Sequence, residues 1–116
     1  MRKTITIDQI LQSIPCEPLF LGSKNKISNI VSSGLMSDVL TTDDSHILLV
    51  SNLTSIQLLR TADMVQASGV LITNGKPIHP ETIRLAQDLD ISIIKTNLMM
   101  FEVCYQLGKI FFGDNE

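Results

Sequence analysis

The segment His46-Ile-Leu-Leu-Val-Ser-Asn52 is an apolar run that ends in a hydroxyl residue and an asparagine. Gly69-Val-Leu-Ile-Thr-Asn74 and Ile91-Ser-Ile-Ile-Lys-Thr-Asn97 repeat this pattern, and a helical pattern follows each of the three. Their first residues lie 23 and 22 positions apart (46 to 69, then 69 to 91), which leaves room for a strand and a crossover helix. Uniformly apolar runs are typical of strands covered on both faces. The sequence therefore predicts an α/β fold: a small three-layer α/β/α domain with a mainly parallel sheet, in β-α-β-α-β-α order over the C-terminal two-thirds.

The segments that follow these strands have helical periodicity. A helix over 54–68 would place Leu58, Ala62 and Val65 on one face. A helix over 80–89 would begin with Pro80, whose missing N–H costs nothing at a first helical position. The last helix, about 97–112, has more apolar residues than one stripe holds, so we expect more than one of its faces to be covered.

The N-terminal third has weaker signals. Thr6-Ile-Asp-Gln9 predicts a capping box at the start of a two-turn helix, which Pro15 ends. After this helix we expect two extended segments, one helical turn and a surface loop, at 18–21, 27–31, 35–40 and 41–45.

Length and composition limit the class of protein. The 116 residues predict a single domain over 1–116, and 44% of them are hydrophobic. Nine Lys and Arg against twelve Asp and Glu, without a basic block, argue against nucleic-acid binding. The longest apolar runs are far too short to cross a membrane, and no signal-peptide core is present. We expect a cytoplasmic protein.

Two isolated cysteines, Cys16 and Cys104, have no metal-ligand or redox-motif spacing. We expect both to be reduced and buried as small apolar residues. A Cys16–Cys104 disulfide is the alternative that the sequence leaves open.

Polar residues follow each of the three predicted parallel strands. In a parallel sheet these strand ends meet at one edge, where open α/β sheets bind ligands. We call this set the rim; it comprises Ser51, Asn52, Thr73, Asn74, Gly75, Thr96 and Asn97. Exposed N–H groups of the following helices would favour a small anionic or nucleotide-like ligand there. The alternative is that Thr54, Asn97 and their neighbours only cap helices.

Residues that would perform catalysis are not apparent. No nucleophile stands in a GxSxG context, and neither phosphate-loop pattern occurs. His46 and His79 share no metal-ligand spacing. Lys76, in the Asn-Gly turn, could offer charge to an acidic ligand, although a solvated lysine is the simpler interpretation. We therefore predict no catalytic residue, no metal site and no cofactor.

Apolar residues outside the main helical stripes predict self-association. Ile56 and Met64 project away from the Leu58-Ala62-Val65 face of the helix over 54–68. Together with the surplus on the last helix, they form a candidate dimer interface. The alternative is that the N-terminal segments cover them within one chain.

From about residue 26 to 111 the sequence resembles the DRTGG domain, a small α/β module, and residues 1–25 add a helix and a short strand. The resemblance is carried by five stretches, 35–40, 46–50, 68–75, 80–86 and 91–96. Where the family has Asp-Arg after the first strand of the unit, this chain has Ser51-Asn-Leu-Thr54. Where the family has Thr-Gly-Gly, this chain has Thr73-Asn-Gly75.

The resemblance implies a regulatory module rather than a catalyst. Such domains occur beside nucleotide-sensing CBS domains in a class of inorganic pyrophosphatases and ahead of the catalytic part of some phosphotransacetylases. They are similar to the N-terminal domain of HPr kinase/phosphorylase. Stand-alone versions are often encoded near iron-hydrogenase components, so a hydrogenase- or phosphotransfer-related protein partner is implied. The leading hypothesis is a non-enzymatic, homodimeric regulatory or assembly module with a ligand at the rim. The alternative is a purely structural protein-interaction subunit.

Overall fold

The computed structural model describes residues 4–32 and 46–113. The predicted helical turn at 35–40 and the loop at 41–45 lie outside these residues. The described parts form seven strands and four helices. The strands are β1 (Ile5–Thr6), β2 (Glu17–Phe20), β3 (Lys26–Ile27), β4 (Asn29–Ser32), β5 (Ile47–Ser51), β6 (Gly69–Ile72) and β7 (Ser92–Lys95). The helices are α1 (Ile7–Ser13), α2 (Ile56–Met64), α3 (Pro80–Leu89) and α4 (Met100–Phe112).

The central sheet has the strand order β2-β7-β6-β5-β4. Strands β4, β5, β6 and β7 are parallel, and β2 is antiparallel to β7 at one edge. Every residue of β5 and β6 is buried, as expected for strands covered on both faces. The prediction of three adjacent parallel strands is confirmed.

Helices cover both faces of this sheet. Each face has its own apolar core: α2 and α3 pack on one, while α1, α4 and the small antiparallel sheet of β1 and β3 pack on the other. The two crossovers from β5 to β6 and from β6 to β7 step in the same direction, so crossovers of one hand place α2 and α3 on the same side. The predicted three-layer α/β/α arrangement is confirmed.

The extended segment predicted over 27–31 is divided between two sheets. Ile27 pairs with Ile5 in the small sheet, whereas Asn29 pairs with Ile47 in the central sheet. The division falls at Ser28, whose N–H donates to the carbonyl of His46 at 2.9 Å and so begins the parallel ladder. The other predicted extended segment, 18–21, is β2, one residue earlier.

Helix ends show which local signals decided the structure. The Thr6–Gln9 capping box is present, and Pro80 occupies the first turn of α3. Two predicted starts are wrong, because α2 begins at Ile56 rather than 54 and α4 at Met100 rather than 97. In both cases a turn precedes the helix, because the N–H of Leu53 donates to the Ser51 hydroxyl and that of Leu98 to the Thr96 hydroxyl. Helix α2 also ends at Met64 rather than 68, and Gln66 in the following turn has a φ of +62°.

Candidate functional site

The carboxyl ends of β5, β6 and β7 lie side by side. Ser51 is in register with Ile72, and Ile72 with Lys95. The ladder continues for one more residue, because the N–H of Thr73 donates to Ser51 at 3.0 Å and that of Thr96 donates to Ile72 at 2.9 Å. The backbone of the rim is therefore a single continuous edge of the sheet.

The three hydroxyl residues of the rim are buried. Ser51 and Thr73 have no exposed surface and Thr96 is 3% exposed. The Ser51 hydroxyl accepts from the N–H of Leu53 at 3.1 Å, so it turns the chain away from β5. These hydroxyls consequently lie beneath the surface that a ligand would meet.

Thr96 also joins the rim to the N-terminal region. Its hydroxyl accepts from the N–H of Leu98 at 3.1 Å and donates to the carbonyl of Pro15 at 2.7 Å. Both of its hydrogen-bonding roles are thus used inside the protein. This contact joins Pro15, which follows α1, to Thr96, which follows β7.

The loops after β6 and β7 are fixed to each other. Asn74 and Gly75 have φ angles of +70° and +63°, and their N–H groups donate to the carbonyls of Leu98 and Thr96 at 2.8 and 2.9 Å. A Cβ on Gly75 would lie 2.8 Å from Oδ1 of Asn97, so glycine is needed both for the left-handed backbone and for the close approach. The two turn amides are engaged within the chain and do not form an anion-binding nest.

The accessible part of the rim consists of Asn52, Asn74, Gly75 and Asn97. Asn52 and Asn74 are half-buried, and Gly75 and Asn97 are exposed. The Asn74 side chain is positioned by Thr73, whose hydroxyl donates to its Oδ1 at 2.5 Å. Carboxamides both donate and accept hydrogen bonds, so this surface suits a polar ligand with mixed hydrogen-bonding groups.

The alternative that Thr54, Asn97 and their neighbours cap helices is wrong for Thr54 and Asn97, although Ser55, the neighbour of Thr54, occupies the N-cap position of α2. The N-cap of α2 is Ser55, whose side chain makes no capping bond, and the N-cap of α4 is Met99, whose N–H donates to Glu102 Oε1 at 3.0 Å. In α3 the ring Nδ1 of His79 accepts from Glu81. The N-cap side chains of both α2 and α4 make no capping bond, and the N–H of Leu58 in the first turn of α2 donates to the carbonyl of Ser55 at 3.1 Å. The dipole of α2, which begins at this edge of the sheet, favours an anion there.

A groove adjoins the rim where β2 pairs with β7. Its volume is about 220 Å³, and it is lined by Pro15, Cys16, Glu17, Lys95, Thr96, Asn97 and Leu98. Sequence reasoning missed this groove, because no local pattern shows that β2 returns antiparallel beside β7. Half-buried Lys95 brings a positive charge to it.

Cys16 and Cys104 are both free thiols, and the disulfide alternative does not occur. Burial raises the pKa of the Cys16 thiol. At neutral pH this side chain is therefore a protonated thiol and a poor nucleophile. The groove accordingly lacks an activated cysteine.

The described ranges contain no group of three or more His, Cys, Asp and Glu side chains that could hold a metal ion. His46 precedes β5 at the opposite end of the strand from the rim, whereas His79 starts α3.

In residues 4–32 and 46–113 no helix has the length and apolar character needed to span a membrane.

Comparison with known proteins identifies the fold. No protein-family model and no curated protein matches the sequence. The structure is similar to the crystal structure of the CBS and DRTGG domains of the regulatory region of Clostridium perfringens pyrophosphatase, complexed with the activator diadenosine tetraphosphate. The TM-score is 0.72 at 17% sequence identity, over 92% of this chain and 47% of that chain. The chain thus spans about half the length of its structural neighbour, and its fold is DRTGG-like.

The structure separates the two surfaces that sequence reasoning joined into one dimer patch. Met64 on α2 is 69% exposed and Ile56 is half-buried, and their helix lies on the α2/α3 face of the sheet. The exposed apolar residues of α4 lie on the opposite face. The periodicity of each helix predicted its surplus residues, but only the topology shows that the sheet stands between them.

Proposed function

We propose that this chain is a non-catalytic regulatory module of the DRTGG type, which acts in the cytoplasm as a homodimer and senses a small anionic or nucleotide-like ligand at the rim. The observation that carries the proposal is the fixed arrangement of the loops after β6 and β7. Two backbone hydrogen bonds and the close packing of Gly75 against Asn97 hold these loops together. A site whose polar groups are held in place before binding loses less conformational entropy on binding.

The rim residues divide into two roles in this proposal. Asn52, Asn74, Gly75 and Asn97 contact the ligand because they are accessible. Ser51, Thr73 and Thr96 are buried and hold the loops that present those residues. The first turn of α2 and the Lys95 ammonium group supply the positive electrostatic potential that an anionic ligand requires.

The structural neighbour supports a regulatory role by analogy of fold. It is part of a pyrophosphatase regulatory region, and the structure contains a nucleotide activator, diadenosine tetraphosphate. Because one fold hosts many functions, the ligand class rests on the residues of the rim rather than on this likeness. Asparagine carboxamides suit the mixed donor and acceptor edge of a nucleobase, and lysine suits a phosphate.

A regulatory role accords with the chemistry of the site better than catalysis does. The groove beside the rim contains a thiol whose pKa is raised, and therefore lacks the thiolate that cysteine catalysis needs. The accessible rim residues are carboxamides and glycine, which bind ligands but neither accept nor deliver a proton at neutral pH.

The test is a thermal-shift titration with diadenosine tetraphosphate, ATP, ADP, AMP and inorganic phosphate. A ligand that binds only the folded protein contributes about 2.7 kcal/mol of stability at a hundred times its dissociation constant. We expect a nucleotide to raise the melting temperature of the wild type, and Asn74→Ala or Asn97→Ala to reduce that shift while the protein stays folded.

Gln87→Ala is the matched control, because it removes an exposed carboxamide from the last turn of α3, next to the start of β7 and far from the rim. It should leave the ligand-induced shift unchanged. An equal loss of shift in Gln87→Ala and Asn74→Ala would contradict a site at the rim. No shift with any of the five compounds would contradict ligand sensing.

A purely structural interaction subunit is the second candidate. It is favoured because many polar groups of the rim already make hydrogen bonds within the chain. These groups are the buried hydroxyls and the backbone amides of Asn74 and Gly75. The absence of a thermal shift together with a protein that co-purifies in a fixed ratio would support this candidate over the first.

A further inference from the structure

The outer side of α4 has an apolar stripe. It consists of Phe101, Tyr105, Gly108 and Phe112, whose spacings of four, three and four residues place them on one line along the helix. Phe101 is 84% exposed, Tyr105 60% and Phe112 57%. The core-facing side of the same helix is separate and consists of Val103, Leu107 and Phe111. Three exposed aromatic rings in a row on one helix are an interaction surface rather than scattered surface hydrophobics.

Gly108 leaves a gap in this stripe that the fold of the single chain does not require. A Cβ at Gly108 would meet no atom within 4 Å. Glycine is unfavourable inside a helix unless a close approach needs it. A groove of about 180 Å³ lies beside it, between α4 and the start of β4, lined in part by Asn29, Ile30 and Cys104. A cavity of about 150 Å³ accommodates benzene, so this groove has room for one aromatic side chain.

The stripe is self-complementary in the antiparallel direction. Phe101 and Phe112 lie equally far from the midpoint of the helix between Gln106 and Leu107, and so do Tyr105 and Gly108. We infer that α4 is a homodimer interface, in which two copies pair antiparallel about a two-fold axis at this midpoint. Each Tyr105 ring then enters the gap over the partner's Gly108, and each Phe101 packs against the partner's Phe112. This inference deepens the proposed function, since it rests on the homodimer and assigns the surface that forms it.

Charges beside the stripe agree with this orientation. Glu102 and Lys109 both flank the stripe on the same side of the helix. In an antiparallel pair the same-side flanks of the two helices meet, so each Glu102 lies near the partner's Lys109. The Lys109 ammonium group is already 5.4 Å from the Tyr105 ring centroid, at the border of the stripe. In a parallel two-fold pair, opposite flanks of the helices meet, so Glu102 and Lys109 would not face each other across the interface.

The surface is large enough for a reversible dimer. The three exposed rings together present roughly 400 Å² per copy, at about 200 Å² for a whole aromatic side chain. With the flanking residues, the total burial reaches roughly 1,000 Å², near the lower limit for a specific interface. We therefore expect dissociation constants in the micromolar range rather than an obligate dimer.

Sedimentation velocity over a dilution series, with the full chain, tests the interface. Gly108→Leu fills the gap in the stripe, and we expect it to raise the dimer dissociation constant at least tenfold while the circular dichroism spectrum stays that of the wild type. Lys109→Glu should raise the constant about tenfold, because the introduced carboxylate then faces the partner's Glu102. Adding Glu102→Lys to Lys109→Glu should restore it to within about threefold of the wild type. The charge exchange keeps the test decisive if Gly108→Leu does not fold.

Met64→Glu is the matched control on the α2/α3 face of the sheet, and it should dimerise as the wild type does. If Met64→Glu dissociates the dimer and the α4 variants do not, the α4 interface is wrong and the homodimer of the proposed function stands. A wild type that is monomeric at about 100 μM, well above the expected micromolar range, would overturn both the interface and the homodimer. The nucleotide titration, which does not depend on dimerisation, tests ligand sensing separately.

Discussion

The two ends of the central sheet use their polar side chains differently. At the amino end, the buried Ser68 hydroxyl donates to the Lys26 carbonyl at 2.8 Å, and the buried Ser92 hydroxyl accepts from the N–H of Gly22 at 2.9 Å. At the carboxyl end, Thr96 makes the same kind of contact, with Pro15. The carboxyl end additionally presents asparagine carboxamides at the surface.

The hydroxyl groups at both ends are thus explained by the fold alone. They tie the N-terminal segments to the edges of the sheet, and burial without a partner would have cost stability. Among the described residues, the asparagine carboxamides at the carboxyl end lie in the turns that directly follow the strands, whereas the exposed carboxamides near the amino end, Gln66 and Gln87, lie in the turn after α2 and in the last turn of α3. The buried hydroxyls at both ends are therefore structural, whereas the carboxamides in the turns that follow β5, β6 and β7 are accessible to a ligand.

The largest expected effect of breaking a contact lies at the amino end. A Cβ at Gly22 would stand 2.8 Å from both the carbonyl oxygen and Oδ1 of Asp90, and 3.0 Å from its carbonyl carbon. Because two of these atoms belong to the backbone, they move only if the chain around Asp90 moves. We expect Gly22→Val to lower the free energy of unfolding by about 3 kcal/mol, measured by urea denaturation.

Gly108→Ala is the control for this prediction, since a Cβ there meets nothing within 4 Å. It should leave the free energy of unfolding unchanged or raise it by up to about 1 kcal/mol, at concentrations where dilution no longer shifts the midpoint. A Gly22→Val protein within about 0.5 kcal/mol of the wild type would mean that the Gly22–Asp90 contact is not close-packed.

At the carboxyl end we expect a smaller effect, from Thr96→Val. This variant keeps the shape of the side chain but leaves the Pro15 carbonyl and the Leu98 N–H without their hydroxyl partner. The expected loss is about 2 kcal/mol in the free energy of unfolding.

Thr73→Val is the matched comparison for Thr96→Val. The Thr73 hydroxyl donates to the half-buried Asn74 side chain, which water can still reach. We expect about 1 kcal/mol or less. Equal losses in the two variants would show that Thr96 does not hold the N-terminal segment to the rim.

Some features of these two ends of the sheet could be predicted from local sequence patterns. The apolar runs with their Ser-Asn and Thr-Asn endings predicted the parallel strands and brought Ser51, Thr73 and Thr96 to one edge. This prediction succeeded because the carboxyl ends of parallel strands lie at the same edge of the sheet. The 22 or 23 residues between strand starts fit a strand and a crossover helix, and so favour parallel pairing. The capping box at Thr6 and the start of α3 at Pro80 were also readable, since both depend on neighbours within three residues.

Contacts between distant segments were not readable. Thr96 reaches Pro15 across 81 residues, and this contact decides that its hydroxyl is structural rather than available to a ligand. The place of β2 beside β7, which creates the groove, likewise depends on pairing that no local pattern specifies. The predicted N-caps at Thr54 and Asn97 failed for a related reason, because the hydroxyls of Ser51 and Thr96 form turns that delay both helices.

The smallest expected effect concerns pH and again involves the amino end. Ser23 donates from both its hydroxyl and its N–H to the Asp90 carboxylate, and these hydrogen bonds, with help from the charge of Lys24, hold the pKa of Asp90 below its ordinary value of 3.8. A carboxyl whose pKa is lower in the folded state stabilises the protein above the unfolded-state pKa, and this contribution disappears as the pH falls through the folded-state pKa.

We therefore expect Asp90→Asn, which cannot ionise, to be less stable than the wild type near neutral pH and to approach it as the pH falls through the folded-state pKa of Asp90. Urea denaturation of both proteins at a series of pH values measures this difference. Because Asp90 is only half-buried and solvent weakens electrostatic contributions there, the difference should be smaller than that produced by Thr96→Val. If the two free energies of unfolding differed by the same amount at every pH, ionisation of Asp90 would not contribute to stability.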